Sequence, residues 1–421
     1  MPGIAIGNCI PFNRGGVNWS TYWATRNPTL LNVTGMRDTE IDFSWTDNSA
    51  GDCSFAIYRS TDGVNYSSVG TTVAGDTTYT ATGLTAGTLY YFYVVGVKSG
   101  NESDPTNIYD TRFKITVDTT KAGSAADTFV LPNYSSGTYD YYVDWGDGGA
   151  EEHITTAGNH SHTYAAGGSY QVKIRGTMPQ IYFNGGGDCA KLTTIDNWGN
   201  IAWSSMYAAF YGCSNMTGNY TDAPNLFAVA NMYSMFRDCS SFNQSVSNFN
   251  TAKVTSMRSM FRGCSSFNQS VSNFNIAAVT DISFMFLGCN INAAGTTTNY
   301  DATLVAWAAQ DAPNSLNFNG GASKYGEGLV ENGTTDGAAA NKLIQSGQNF
   351  LTTVAVGDVV YNTTDGTYAL VTAIDSDTQL SISADIMANA EVYRIQHSAA
   401  AKARASLILN DLWTITDGGY L

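Results

Sequence analysis

From Ser234 onward the apolar positions return on a step of 25 residues: Met235, Met260 and Met285, Phe236, Phe261 and Phe286, and Val254 and Val279 hold equivalent places. Two near-duplicate units, SMFRDCSSFNQSVSNFNTAKVTSM and SMFRGCSSFNQSVSNFNIAAVTDI, carry the period. A constant period of this length predicts stacked coils, each burying its apolar face against the next. Phe242/Phe267, Val246/Val271 and Phe249/Phe274 are then expected to point inward into one continuous core. Asn243, Gln244, Asn248 and Asn250 recur with them. Such amides either ladder between coils or face a sugar, and the internal ladder is preferred.

Upstream the period shortens to two. Ile41, Phe43 and Trp45 alternate with polar neighbours, as do Phe55 and Ile57 with Arg59 outward, and Tyr90, Phe92 and Val94. Turn residues at Ser60 to Gly63, Ala74 to Asp76 and Thr85 to Thr88 separate these runs. Short strands at this spacing predict a β-sandwich over 27–113. A second β module is expected over 114–178, the coils over 179–326, and a small β domain with its own alternating strands over 327–400. Residues 401–421 close the solenoid as its cap. The fold class is therefore mainly β and multidomain: two sandwiches, then a solenoid whose cap carries an insertion.

Residues 1–26 show no period but hold Ile4, Ile6, Ile10, Phe12, Trp19, Tyr22 and Trp23. These side chains either pack on the next domain or anchor the chain to a partner. Ile10, Pro11, Phe12, Trp19, Tyr22 and Trp23 are the candidate anchoring residues.

Five of the seven cysteines, Cys189, Cys213, Cys239, Cys264 and Cys289, follow the coil ruler at spacings of 24, 26, 25 and 25. An odd ladder in register, with Cys9 and Cys53 remote, offers no natural disulfide pairing. No CxxC or Cys/His cluster suggests a metal. Buried free thiols forming a structural ladder are expected, which implies folding in a reducing cytosol. Only 13% of residues are charged, against about a quarter in average soluble proteins. The net charge of −15 opposes a phosphate backbone, so no nucleic-acid partner is expected. The opening lacks a basic stretch followed by an apolar run, and no run of about 18 apolar residues follows, so neither a cleaved export signal nor membrane insertion is expected.

Catalytic patterns are missing: no GxSxG, HExxH, GxxxxGK[ST] or dinucleotide GxGxxG occurs in a fitting context. Asp144 and Asp147 flank Trp145 and Gly146, where paired carboxylates suit calcium or acid–base chemistry. A hairpin turn at Asp147 and Gly148 is the preferred reading. His153, His160 and His162 cluster, but a metal needs three or more converging ligands. Gly185 to Gly187 with Asp188 read as a bend into the solenoid, and neither Glu151/Glu152 nor Asp375/Asp377 is placed across a cleft by sequence. No enzyme activity, cofactor or metal is expected. The 25 Tyr and 8 Trp are a palette for binding, with Trp203 to Gly212 and Tyr139, Tyr141 and Tyr142 as segments of interest.

Four resemblances add to this reading. Trp45 and GLTAGTLYYFYVVGV, with Leu84 and Tyr90 as the corner motif, resemble a fibronectin type III domain. YDYYVDWGDGGAEEH with HSHTYAAGGSYQVKI resembles a PKD-like sandwich. MFxxC, SSFNQSVSNFN and VTxM resemble BspA-like surface-protein repeats, relatives of leucine-rich repeats; YDATLVAWAAQ and the distant AKARASLILNDLWTITDGG look like their closing segment. MPGIAIGNCIPFNRGGVNW is similar to the openings of virion proteins of crAss-like phages. Together they imply a head or tail fibre or appendage, assembled in the host cytoplasm and held on the virion through its N-terminal segment by capsid or tail proteins. A host-surface glycan or protein and a homo-oligomer, trimer or dimer, are the further partners implied. The alternative is a bacterial surface adhesin, which would need an export signal and an anchor that the sequence does not display.

Overall fold

The computed structural model describes residues 18–289, 291 and 298–420. It is mainly β, and its apolar residues divide into three cores. The first lies between a three-stranded sheet, Thr29–Arg37, Glu40–Thr46 and Thr78–Ala81, and a sheet built on Ser54–Ser60 and Tyr91–Lys98. Period-two patterning does the work: Ile41, Phe43 and Trp45 are buried from one sheet and Phe55, Ile57, Phe92 and Val94 from the other. The Tyr90 hydroxyl accepts from Thr85 N at 3.2 Å and pins the corner. The helix Trp19–Trp23 lies against this sandwich, capped by the Asn18 side chain.

The second sandwich does not close on itself. Its main sheet runs Glu152–Ile154, Asp140–Asp144, Ser169–Thr177, Phe113–Asp118, then Leu192–Asn197 and Thr217–Gly218. Leu192–Asn197 pairs antiparallel with Phe113–Asp118, Ile195 opposite Ile115, and parallel with Thr217–Gly218. The sheet thus passes out of the sandwich into the first coils, and one hydrophobic cluster extends from Phe113 to Trp413. A sequence boundary at 178 falls inside this core. An edge strand left open would expose unpaired N–H and C=O groups, and the solenoid covers it.

The coils are joined by several backbone hydrogen bonds at repeated places, among them Phe210 N to Met235 O, Phe236 N to Met260 O and Phe261 N to Met285 O, at 2.9, 2.9 and 3.0 Å. Phe210, Phe236, Phe261 and Phe286 stack at 5.7, 5.7 and 5.6 Å. Ala208, Ser234, Ser259 and Phe284 all take positive φ, a recurring corner that no glycine marks in sequence.

Helices Thr298–Ala308 and Ala399–Leu409 and the parallel pair Asn317–Asn319 and Thr414–Thr416 close the far end. Between them sits a six-stranded sheet, in order Leu329–Thr334, Val392–Gln396, Val359–Asn362, Thr367–Ser376, Gln379–Ile382 and Lys342–Ile344. It has its own core of Leu343, Phe350, Val360, Val371, Leu380 and Ile395. Its entry and exit are clasped together: His397 N donates to Gly328 O at 2.9 Å and Ser398 N to Glu327 O at 3.1 Å.

Candidate functional site

The thiol ladder is built into the solenoid. Cys239, Cys264 and Cys289 each donate from Sγ to the carbonyl of a phenylalanine one coil back, Phe210, Phe236 and Phe261, at 3.0, 2.8 and 2.8 Å. Burial pushes the Cys213, Cys239 and Cys264 thiols well up and Cys289 up to about 12. Cys189 is half-buried and also raised by desolvation. Protonated, carbonyl-bonded thiols are poor nucleophiles, and these three bonds tie successive coils together. The amides are spent in the same way: Gln244 donates to Tyr220 O and Gln269 to Asn243 O, both at 3.1 Å, and Asn268 N donates to the Asn243 side chain at 2.8 Å.

Of the candidate anchoring residues, Ile10, Pro11 and Phe12 lie outside the described residues. Tyr22 donates to Asp52 at 2.6 Å. Trp23 is buried over Gly96, where any Cβ would come within 2.9 Å of the indole. Trp19 is half-buried, edge-on to Tyr22.

The charged candidates in the second sandwich have separate partners. His153 meets Asp140 at 2.7 Å, His162 meets Asp147 at 2.9 Å, and His160 meets the Thr156 carbonyl at 3.0 Å. Asp144 accepts from Gly146 N and Lys173, and Asp147 accepts from Gly149 N, which lowers Asp147. Glu151 pairs with Arg175, Glu152 accepts from the Trp145 indole, and Asp375 accepts from Lys342. Among the described residues no group of three or more His, Cys, Asp or Glu is placed to hold a metal, and no helix is long and apolar enough to cross a membrane.

A concave surface lies where the second sandwich meets the first coils. A groove of about 480 Å³ is lined by Val130, Asn133, Asn159, Tyr182, Asn184 and Asp188, among others. Asp188 is already engaged by Ser124 and by Val130 N. Asn133 donates to the Tyr141 hydroxyl at 2.8 Å, while its buried Oδ1 has no partner. Tyr134 packs edge-on to Tyr182, and from there Tyr182, Tyr207 and Tyr233 stack along the solenoid at 6.0 and 5.2 Å. All three are half-buried, and among the described residues no hydrogen bond holds their hydroxyls. Arg237 lies over Tyr211 beside this row, 4.6 Å from the ring centroid. At the groove rim Gly185, with φ +72°, lets the Tyr211 ring come within 2.9 Å of where a Cβ would sit.

Of the segments of interest, Trp203, Met206 and Phe210 are core and Tyr207 belongs to the row; Tyr139 and Tyr141 are buried. Tyr142 is stacked between His153 at 4.3 Å and Arg175 at 4.1 Å. Sequence reasoning passed over Tyr182 and Tyr233, although they sit 25 and 26 residues from Tyr207 on the coil period. Asp222 was also missed: it is fully buried and accepts from Trp198 N, Gly199 N and the Tyr109 hydroxyl of the first sandwich, at 2.9, 2.8 and 3.0 Å. Burial raises it to about 6 against these bonds.

These features define a β-rich, multidomain protein, and the two domain types it matches fit a protein of the surface or adhesion type. A fibronectin type III domain model matches residues 26–112, and the family described as "Mycoplasma protein of unknown function, DUF285", of the BspA-like repeat type, matches residues 204–325. Neither description names an enzyme, and neither match supports a phage origin or a PKD-like domain. No curated protein matches. Among solved structures the chain is similar to a Fn3-like protein from Clostridium thermocellum, with 28% identity, covering 21% of this chain and 91% of that one at a TM-score of 0.19. A domain segment from titin gives 20% identity, 20% and 31% coverage and a TM-score of 0.19, so this chain spans about a third of its length. A two-domain segment of chicken tenascin gives 17% identity, 35% and 89% coverage and a TM-score of 0.19.

Proposed function

We propose that this chain is a non-enzymatic attachment protein that presents the tyrosine row and the adjoining groove to an extended, hydroxyl-rich surface polymer such as a glycan. The observation that carries the reading is the row itself. Three half-buried tyrosines, their hydroxyls without a partner among the described residues, stack at 6.0 and 5.2 Å along the solenoid and end at an amide-lined groove. Their faces cover one another, so edges and hydroxyls meet the ligand, giving shallow, repeated contacts rather than one deep pocket.

The carrier we favour is a phage virion, as a head or tail appendage held by residues 1–26 and assembled as a homo-oligomer in the host cytoplasm. Free, buried thiols support folding in a reducing compartment. The BspA-like repeats support the second reading, a bacterial surface adhesin, equally well. Replacing Tyr182, Tyr207 and Tyr233 by Phe preserves the stacking and removes the hydroxyls. Retention of the full chain on purified envelope polysaccharide is expected to fall at least tenfold. Undiminished retention sinks the attachment reading. Immunogold labelling of lysates separates the carriers, by label on particles or on cell envelopes.

A further inference from the structure

The seam between the inserted β domain and the solenoid cap holds a second concavity, far from the tyrosine row in sequence. It has a volume of about 280 Å³ and its walls include Tyr325, Tyr361, Tyr368, Arg404, Asp417 and Tyr420. The insertion supplies Tyr361 and Tyr368, and the solenoid end supplies the rest.

Charge in this pocket is cancelled before any ligand arrives. Arg404 donates from Nε and Nη2 to the two oxygens of Asp417 at 2.9 and 3.2 Å, and both side chains are almost wholly buried. Its Nη1 donates to the Tyr368 hydroxyl at 2.7 Å. Asp417 also accepts from the Tyr300 hydroxyl at 2.9 Å and from Gly419 N at 3.1 Å. The carboxylate is therefore saturated, whereas a guanidinium has five N–H groups and three are engaged. Two N–H donors of Arg404 remain, together with the hydroxyls of Tyr361 and Tyr420, for which no protein partner exists among the described residues.

The rings complete the enclosure. Tyr361 stacks on Tyr368 at 4.6 Å and meets Tyr420 edge-on at 6.5 Å, and Arg394 covers the Tyr420 ring at 4.3 Å. Aromatic walls with fixed, neutralised donors suit a ligand that offers C–H faces and hydroxyls and carries no net charge. An anion gains little where Asp417 already neutralises Arg404, and a purely apolar ligand would strand four donors. The volume is that of one sugar ring with a little water.

We propose that this seam pocket binds a single neutral pyranose, a site separate from the tyrosine row. Arg404 and the Tyr361 and Tyr420 hydroxyls are its specificity-determining donors, and binding ties the inserted domain to the cap.

The test is saturation-transfer difference NMR on the full chain with three probes: methyl glucoside, methyl galactoside and N-acetylglucosamine. At least one probe is expected to bind with a dissociation constant on the order of 1 mM. Tyr361→Phe, which keeps the stacking, should weaken that probe severalfold, and Tyr361→Ala at least tenfold. A probe bound in the seam should also raise the melting temperature of the inserted domain. The triple Tyr182, Tyr207 and Tyr233 to Phe variant should leave this binding unchanged, so failure of the seam site and failure of the attachment surface are told apart. The proposal is overturned if none of the three probes gives a signal at about 10 mM, or if the signal survives Tyr361→Phe at full strength. Loss of the signal in the triple variant overturns it as well.

Discussion

The two sandwiches of this chain look alike in sequence and behave as different objects. The first has a closed core of its own, with Phe43 of one sheet facing Phe55 and Phe92 of the other. The second donates one strand, Phe113–Asp118, to a neighbour on each side, Ser169–Thr177 and Leu192–Asn197, and its core is the beginning of the solenoid core. A repeat array needs an end that covers its first apolar coil, and here a whole sandwich serves as that end. Sequence modules and cooperative units therefore need not coincide.

The comparison is broken most forcefully at Phe113, which packs on Trp198 and Trp203 at 6.0 and 5.2 Å. Phe113→Ala is expected to cost about 3–5 kcal/mol and to lower a calorimetric transition shared by the second sandwich and the coils. Phe92→Ala should cost about as much and move only the first sandwich. If Phe113→Ala leaves the coil transition in place, the shared core is not a shared cooperative unit.

Asp222 sharpens the comparison at the contact between the two objects. Its pKa is raised from 3.8 to about 6, so the folded chain holds this proton more tightly than the unfolded one. Stability from this group is full below about pH 4 and is lost as pH rises through about 6, a change of about 3 kcal/mol. Asp222→Asn should flatten that part of the difference between melting curves recorded at about pH 4 and about pH 7. An unchanged slope would mean that Asp222 is not the titrating group.

The smallest effect lies within one coil. Cys264→Ala removes the donor to Phe236 O and should cost about 1 kcal/mol, while Cys264→Ser, which keeps a donor, should cost less. The reverse order would mark the thiol as an apolar filler.

Legibility in the sequence follows the range of the interactions. Ile41, Phe43 and Trp45 could be read because one face of a strand is buried, and Phe236, Phe261 and Phe286 because each coil repeats the same environment. The fibronectin type III and BspA-like segments were legible for the same reason. The pairing of Ile195 with Ile115 could not be read, since it joins residues with no shared period. Tyr207 stood out from its composition, but Tyr182 and Tyr233 emerge only when the ruler is laid over half-exposed positions as well as core ones. The seam pocket gathers Tyr325, Tyr361, Arg404 and Tyr420 from across an insertion, and no local pattern announces it.

The clasp at Gly328–His397 and Glu327–Ser398 has an evolutionary consequence. The chain leaves and rejoins the solenoid end at two adjacent backbone positions, so the cassette between them can be exchanged while the solenoid end keeps its path, provided the side chains that meet the cap, Tyr361 and Tyr368 among them, are kept or matched. Lineages carrying this scaffold are expected to vary most in that cassette, and recombination breakpoints should collect at its two necks.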